Sequence, residues 1–148
     1  MSTYTQIIYQ IVFGTKFREK TLHQSGRDEL FKYITGIIQN KKCHLYIING
    51  VEDHIHIITH LHPSISLASL VKDIKVASTL FIKEKKLFDH FKGWQEGYGA
   101  FTYSVQARHN LIEYVKNQEE HHRKKSFKEE FMGSLRKHDI EFDERYFL

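Results

Sequence analysis

Asp53-His54-Ile55-His56-Ile57-Ile58 sets two imidazoles two positions apart in an apolar run. On an extended strand that spacing turns both rings to one face and sends Ile55 and Ile57 to the other. Neutral imidazole is a favoured ligand of divalent metals, so His54 and His56 read as half of a metal site. In a chain with eleven histidines such a pair arises readily by chance. Its weight comes from the strand with an apolar back face that carries it.

Tyr114-Val115-Lys116-Asn117-Gln118 forms the second constellation. In a helix, positions 114 and 118 lie one turn apart on one face, away from the apolar stripe of Leu111 and Val115, so a phenol and an amide look into the same space. Asn110 and His121 extend that face at either end. The plain alternative is an exposed tyrosine beside a solvated amide. Taken together, the two constellations suit phosphodiester cleavage without an activated water. That reaction needs a nucleophile held in line with the phosphate and a cation to offset charge on its oxygens. Tyrosine supplies the first, and two imidazoles with one amide leave the full charge of a divalent ion available to the phosphate.

The elements that must position these residues follow from periodicity. Tyr4 to Gly14 is rich in Ile, Tyr, Val and Phe without helical spacing and reads as a buried first strand. Ser25-x-x-Asp28 starts a helix in which Leu30, Phe31, Ile34, Ile37 and Ile38 share a face to about Lys41. Cys43 to Ile48 and His54 to Leu61 read as a hairpin turning at Asn49-Gly50. Ser66 caps a second helix through Leu67, Leu70, Val71, Ile74 and Phe81 to about Lys86. Phe88 to Gly99, with Trp94, reads as an ordered loop before a fourth strand at Ala100 to Val105. A third helix runs from Ala107 to about Lys124, and Ser126-x-x-Glu129 starts a shorter one. The order β-α-β-β-α-β-α predicts an α+β fold: a ferredoxin-like antiparallel sheet with a C-terminal helical extension that carries the tyrosine.

The 148 residues suit one domain spanning the whole chain, with 126–148 as its helical or irregular extension. A formal charge of +4 permits an anionic partner without demanding one. A single cysteine removes disulfide frameworks and cysteine-based zinc sites. The N-terminus has no basic region followed by an apolar stretch, and no run of about 18 apolar residues exists, so a soluble cytoplasmic protein with no membrane partner is expected.

At these residues the chain resembles the HUH single-strand nucleases. Within them it is similar to the one-tyrosine transposases of IS200/IS605 elements and their repeat-associated relatives. His54-Ile55-His56 matches the HUH motif, and Tyr114 to Gln118 matches the nucleophile with its accessory ligand. Trp94-Gln95-Glu96-Gly97-Tyr98-Gly99-Ala100-Phe101 matches the run before the fourth strand. Asn117-Gln118-Glu119-Glu120-His121-His122, followed by Phe127-Lys128-Glu129-Glu130, looks like the repeat-associated branch. The likeness extends from Tyr4 to about Phe131, with His60, His62 and the tail after Met132 as departures.

By that resemblance, Tyr114 forms a 5′-phosphotyrosine link and His54, His56 and Gln118 bind magnesium or manganese. The substrate is single-stranded DNA bearing a hairpin, and a homodimer assembles its active sites in trans. His60 and His62 stay open as further ligands, DNA contacts or exposed residues, and so does a contribution from His121. Lys16, Arg18, Lys20, Lys83, Lys85 and Lys86 are candidate phosphate contacts or ordinary surface charges, and Tyr98 and Tyr103 are candidate DNA contacts. Three other readings remain: a single-strand nucleic-acid-binding module without catalysis, a metal hydrolase acting through water, and a non-transposing HUH-type protein that processes repeats or initiates replication.

Overall fold

The computed structural model describes residues 2–118 and, beyond them, Glu129, Met132, Gly133 and Lys137. In chain order come β1 (Ile8–Gly14), α1 (Gln24–Asn40), β2 (His44–Gly50), β3 (His54–His60), α2 (Leu67–Lys85), β4 (Gly99–Tyr103) and α3 (Arg108–Lys116). The strands form one antiparallel sheet in the order β2-β3-β1-β4, the split βαβ arrangement expected from periodicity.

The sheet has two unlike faces. On one, α1 and α2 bury Leu30, Ile34, Ile38, Leu70, Val71 and Ile74 against Ile11, Phe13, Ile55 and Ile57. Each such aliphatic side chain contributes about 1.5–3 kcal/mol on leaving water, which makes this face the main source of stability. On the other, α3 covers a smaller patch with Leu111 and Val115 on Ile8 and Ile58. Alternation along β3 decides which residue goes where: Ile55 and Ile57 face α1 and α2, while His54, His56 and Ile58 face the side of α3.

The segment between α2 and β4 is ordered, as expected. Trp94 packs edge-on against Phe13 and Phe91 at centroid separations of 5.1 and 5.0 Å, and its indole N–H donates to Ser78 Oγ at 2.9 Å. Gln95 N–H donates to Gly14 O at 2.9 Å, while its side-chain Oε1 accepts from Gly14 N–H. The half-buried Lys75 ammonium clamps the segment by donating to the carbonyls of Gln95 and Gly97, and burial lowers its pKa against the opposing pull of Glu96.

Several boundaries differ from the sequence reading. β1 begins at Ile8, and Tyr4, expected in the strand, is 90% exposed. His23, not Ser25, occupies the N-cap of α1, without a side-chain hydrogen bond. Ser66 does cap α2, accepting from Ser69 N–H at 3.1 Å. Asn49-Gly50 is not the turn of the hairpin: β2 continues through both residues, pairing Asn49 with His56 and Gly50 with Ile55, and the chain reverses at Val51–Asp53. Glycine is needed at 50 by close approach, since a Cβ there would lie 2.4 Å from the carbonyl oxygen of His54.

β4 ends at Tyr103, and a single 3₁₀ turn at Val105–Ala107 leads into α3. α3 stops at Lys116, Asn117 is a turn, and Gln118 is again helical. The expected continuation over 119–124, and Ser126 as a helix start, lie outside the described residues. Of the extension at 126–148, Glu129, Met132, Gly133 and Lys137 are described, all helical.

Candidate active site

β3 is flanked by β1 and β2, so its residues are held by hydrogen-bonded ladders on both sides. His54 and His56 are 0% and 2% exposed, with ring centroids 5.0 Å apart. Gly14 of β1 stands opposite His54 and Val12 opposite His56. His54 Nδ1 lies 2.8 Å from Asp53 Oδ1. A carboxylate only accepts, so this contact places a proton on Nδ1 and orients the ring's Nε2 into the site.

α3 brings the other two expected residues to the same place. Gln118 is fully buried, its Oε1 is 3.4 Å from His54 Nε2, and its amide N–H donates to the carbonyl of Tyr114 at 3.3 Å. The Tyr114 ring is 6.0 Å, centroid to centroid, from that of His56 in an edge-on arrangement. His54, His56, Tyr114 and Gln118 thus converge within one chain.

The donor set fits a divalent cation. With Nδ1–H given to Asp53, a neutral His54 turns a lone pair towards Gln118 Oε1, itself a lone-pair atom because the amide nitrogen faces Tyr114. In that tautomer both lone-pair atoms would be ligands of an ion placed between them, whereas a protonated Nε2 donates to Oε1. Atoms bound at about 2.1 Å to one magnesium ion stand at most about 4.2 Å apart, and the observed 3.4 Å lies inside that span. Among the described residues no group of three or more His, Cys, Asp or Glu offers a rival site.

His60 and His62 do not join the group. His60 Nε2 is 2.8 Å from Thr5 Oγ1, beyond the buried Ile58, and His62 Nδ1 sits in a local turn with Ser64 at 2.7 Å from its Oγ and 3.1 Å from its backbone nitrogen. His121 lies outside the described residues. Tyr33 stacks on Phe81 at 4.1 Å, and Tyr9 and Tyr46 pack against the cores.

Two supporting residues were missed. Gln10, 2% exposed on β1, has its Nε2 3.3 Å from His56 Nδ1 and accepts from the Tyr103 hydroxyl at 3.0 Å. Burial raises the pKa of Tyr103, which keeps that hydroxyl protonated. A lone glutamine facing the same side as Ile8 and Val12 was the available signal. Asn49 was read as a turn residue, but its Nδ2 donates to the carbonyls of Val115 and Lys116 at 3.0 and 3.2 Å. It thereby satisfies the last turn of α3 from the sheet and ties the tyrosine helix to the histidine strand.

Residues 3–118 match the family described as IS200-like transposases. Among solved structures, a candidate transposase from Deinococcus radiodurans R1 superposes with a TM-score of 0.62 at 22% identity, over 80% of this chain and 95% of that one. A REP-associated tyrosine transposase bound to a REP hairpin superposes with a TM-score of 0.57 at 13% identity, over 79% of this chain and 72% of that one. At such identities the two likenesses speak for the fold, which they share with this chain. None of the curated proteins matches it. The family match, spanning β1 to β4, α1 to α3 and the four converging side chains, means that the chain belongs to the IS200-like transposases.

Proposed function

We propose that the chain cleaves and rejoins single-stranded DNA at hairpin-bearing ends, with Tyr114 as nucleophile and with His54, His56 and Gln118 as ligands of magnesium or manganese. The observation that carries this reading is the convergence of those four side chains at one buried corner of the fold. The hairpin in the REP-associated neighbour supports a folded DNA end as substrate.

In the forward step Tyr114 Oη attacks the phosphorus and a phosphotyrosine bond forms. The P–O3′ bond breaks, the phenolic proton passes to solvent, and the departing 3′ oxygen takes up a proton. Rejoining is the reverse, with a 3′-hydroxyl displacing the tyrosine, so no external energy source is required. A bound ion would supply Lewis-acid polarisation of the phosphate oxygens. His54, held by Asp53, and Gln118, held by the Tyr114 carbonyl, keep their donor atoms aligned. Cutting two ends and exchanging strands calls for two tyrosines, which a homodimer provides. Convergence within one chain supports assembly of each site in cis over the trans expectation.

The test is whether labelled single-stranded DNA remains on the protein through denaturation. Tyr114→Phe removes one oxygen and is expected to abolish the adduct while leaving the fold and hairpin binding intact. His54→Ala or His56→Ala is expected to abolish cleavage, and Gln118→Ala to reduce it less, because water replaces an amide oxygen more readily than an imidazole. An adduct that persists in Tyr114→Phe, or cleavage undiminished by a chelator, would refute the assignment. Non-covalent binding without any adduct would instead favour a binding module.

A further inference from the structure

Among the described residues, the turn between β1 and α1 alone has two consecutive non-glycine residues with left-handed backbone. Phe17 has φ 59 and ψ 14, and Arg18 follows with φ 54. Neither is glycine or asparagine, so each meets the Cβ clash that makes left-handed conformations unfavourable for bulky side chains. Burial does not compensate, since Phe17 is 69% exposed. The other exposed large apolar residues, Tyr4, Ile7, Val76 and Leu80, have no such backbone.

The surroundings impose the conformation from both sides. Thr15 N–H donates to Asp53 O at 2.9 Å and Lys16 N–H to Gly93 O at 2.8 Å. Arg18 N–H donates back to Thr15 O at 2.9 Å, and Thr15 Oγ1 donates to Glu19 O at 2.6 Å. Leu22 N–H closes the far end on Glu52 O at 2.9 Å. Strain that the fold over-determines around a side chain it does not bury points to a task for that side chain.

Location indicates the task. Thr15 follows Gly14, which stands opposite His54, and it bonds the main chain of Asp53, whose carboxylate orients His54. Phe17 is two residues further, so its Cα lies within about 7–8 Å of that of Thr15. The Lys16 ammonium is 5.6 Å from the Phe17 ring centroid, and Arg18 and Lys20 add charge to the same turn. An exposed aromatic face among cations matches a nucleobase followed by its phosphates. Bases inside a duplex stem are already stacked on their neighbours, so such a face selects a base outside the stem.

We propose that Phe17 is a stacking seat for one base of single-stranded DNA beside the phosphate that Tyr114 attacks, with Lys16 and Arg18 on the flanking phosphates. This deepens, and rests on, the proposed cleavage of single-stranded DNA. The seat sets which nucleotide enters the site and does not itself take part in bond making.

The experiment uses the full chain and a single-stranded oligonucleotide with 2-aminopurine at successive positions around the cleavage site. In the wild-type chain one position is expected to be quenched by stacking. Phe17→Ala is expected to weaken binding roughly tenfold and to lose that quenching, whereas Phe17→Trp keeps both. Phe17→Gly relieves the left-handed backbone, so it is expected to melt no lower than wild type while losing affinity like Phe17→Ala. A Phe17 with a merely structural role would lower the melting temperature in both variants and leave affinity unchanged.

Wild-type affinity in Phe17→Ala and Phe17→Gly overturns the seat, and so does an equal loss for blunt duplex. A wild-type chain that forms no covalent adduct, while Phe17→Ala still loses affinity and quenching, sinks the catalytic reading and leaves the seat standing.

Discussion

Gln10→Met tests whether the histidine pair is held for a metal. Gln10 bridges His56 Nδ1 at 3.3 Å and the Tyr103 hydroxyl at 3.0 Å from a site that is 2% exposed. An amide presents nearly the same shape in two orientations with opposite hydrogen-bonding sense. When Nε2 donates to His56 Nδ1, the neutral ring keeps its proton on Nε2 and has no lone pair there for an ion. Turned over, Oε1 accepts from Nδ1–H, Nε2 donates to the Tyr103 oxygen, and His56 Nε2 becomes a ligand. Metal binding through His56 Nε2 would select the second orientation.

Methionine keeps the length of Gln10 and removes both polar atoms. Loss of the outer partner of a ligating imidazole typically weakens metal binding about 10–100-fold, or about 1.4–2.7 kcal/mol. Gln10→Glu is the control, because a carboxylate accepts from both Nδ1–H and the Tyr103 hydroxyl. It is expected to bind at least as tightly as wild type. Manganese titration of the DNA-free protein, followed by electron paramagnetic resonance, measures this without reference to catalysis. A Gln10→Met chain that is folded and binds manganese within about twofold of wild type would refute the argument, as would Gln10→Glu binding more weakly than Gln10→Met.

Asn49→Ala removes two hydrogen bonds to the last turn of α3, at about 0.5–1.5 kcal/mol each. Hydrogen exchange is expected to quicken in α3 by the corresponding factor while β2 and β3 stay protected, and equal protection in α3 would count against the tether. Mixed dimers of a His54→Ala, His56→Ala chain with a Tyr114→Phe chain are expected to stay inactive, since in cis every site carries a defect. Recovered cleavage in verified mixed dimers would establish the trans arrangement instead.

The elements were legible in the sequence because their faces are one-sided. Leu30, Ile34 and Ile38 repeat at helical spacing, and Ile55 and Ile57 alternate against His54 and His56, so helix and strand announced themselves by which residues must be buried. That His54 shares a face with His56, and Tyr114 with Gln118, was legible for the same reason: spacing on a strand and on a helix determines a shared face before any contact is known. What escaped depends on pairs distant in sequence. Asn49-Gly50 has the composition of a turn, yet the glycine answers to the His54 carbonyl and the asparagine to α3, 66 residues away. Gln10 interrupts an apolar strand without saying what it meets until β3 and β4 are paired with β1. The left-handed Phe17 has no sequence signature, because its conformation is imposed by Asp53 and Gly93 rather than chosen by its own propensity.

The two halves of the site differ in how firmly they are built. His54 and His56 sit on a central strand laddered on both edges, and to displace them is to open the sheet. α3 has nine residues, fewer than the roughly 12–15 at which an isolated helix becomes marginal in water, and so exists because it is docked. Among the described residues its attachment includes Leu111 and Val115 on Ile8 and Ile58, together with the Asn49 amide. Two buried aliphatic residues at about 1.5–3 kcal/mol each and two hydrogen bonds near 1 kcal/mol each contribute about 5–8 kcal/mol, before the cost of ordering the helix. Local release of α3 is therefore easier than global unfolding. That asymmetry suits the role proposed for Tyr114, which would attack a phosphate, hold one DNA end and return it to an incoming strand while the histidines beneath it stay where they are.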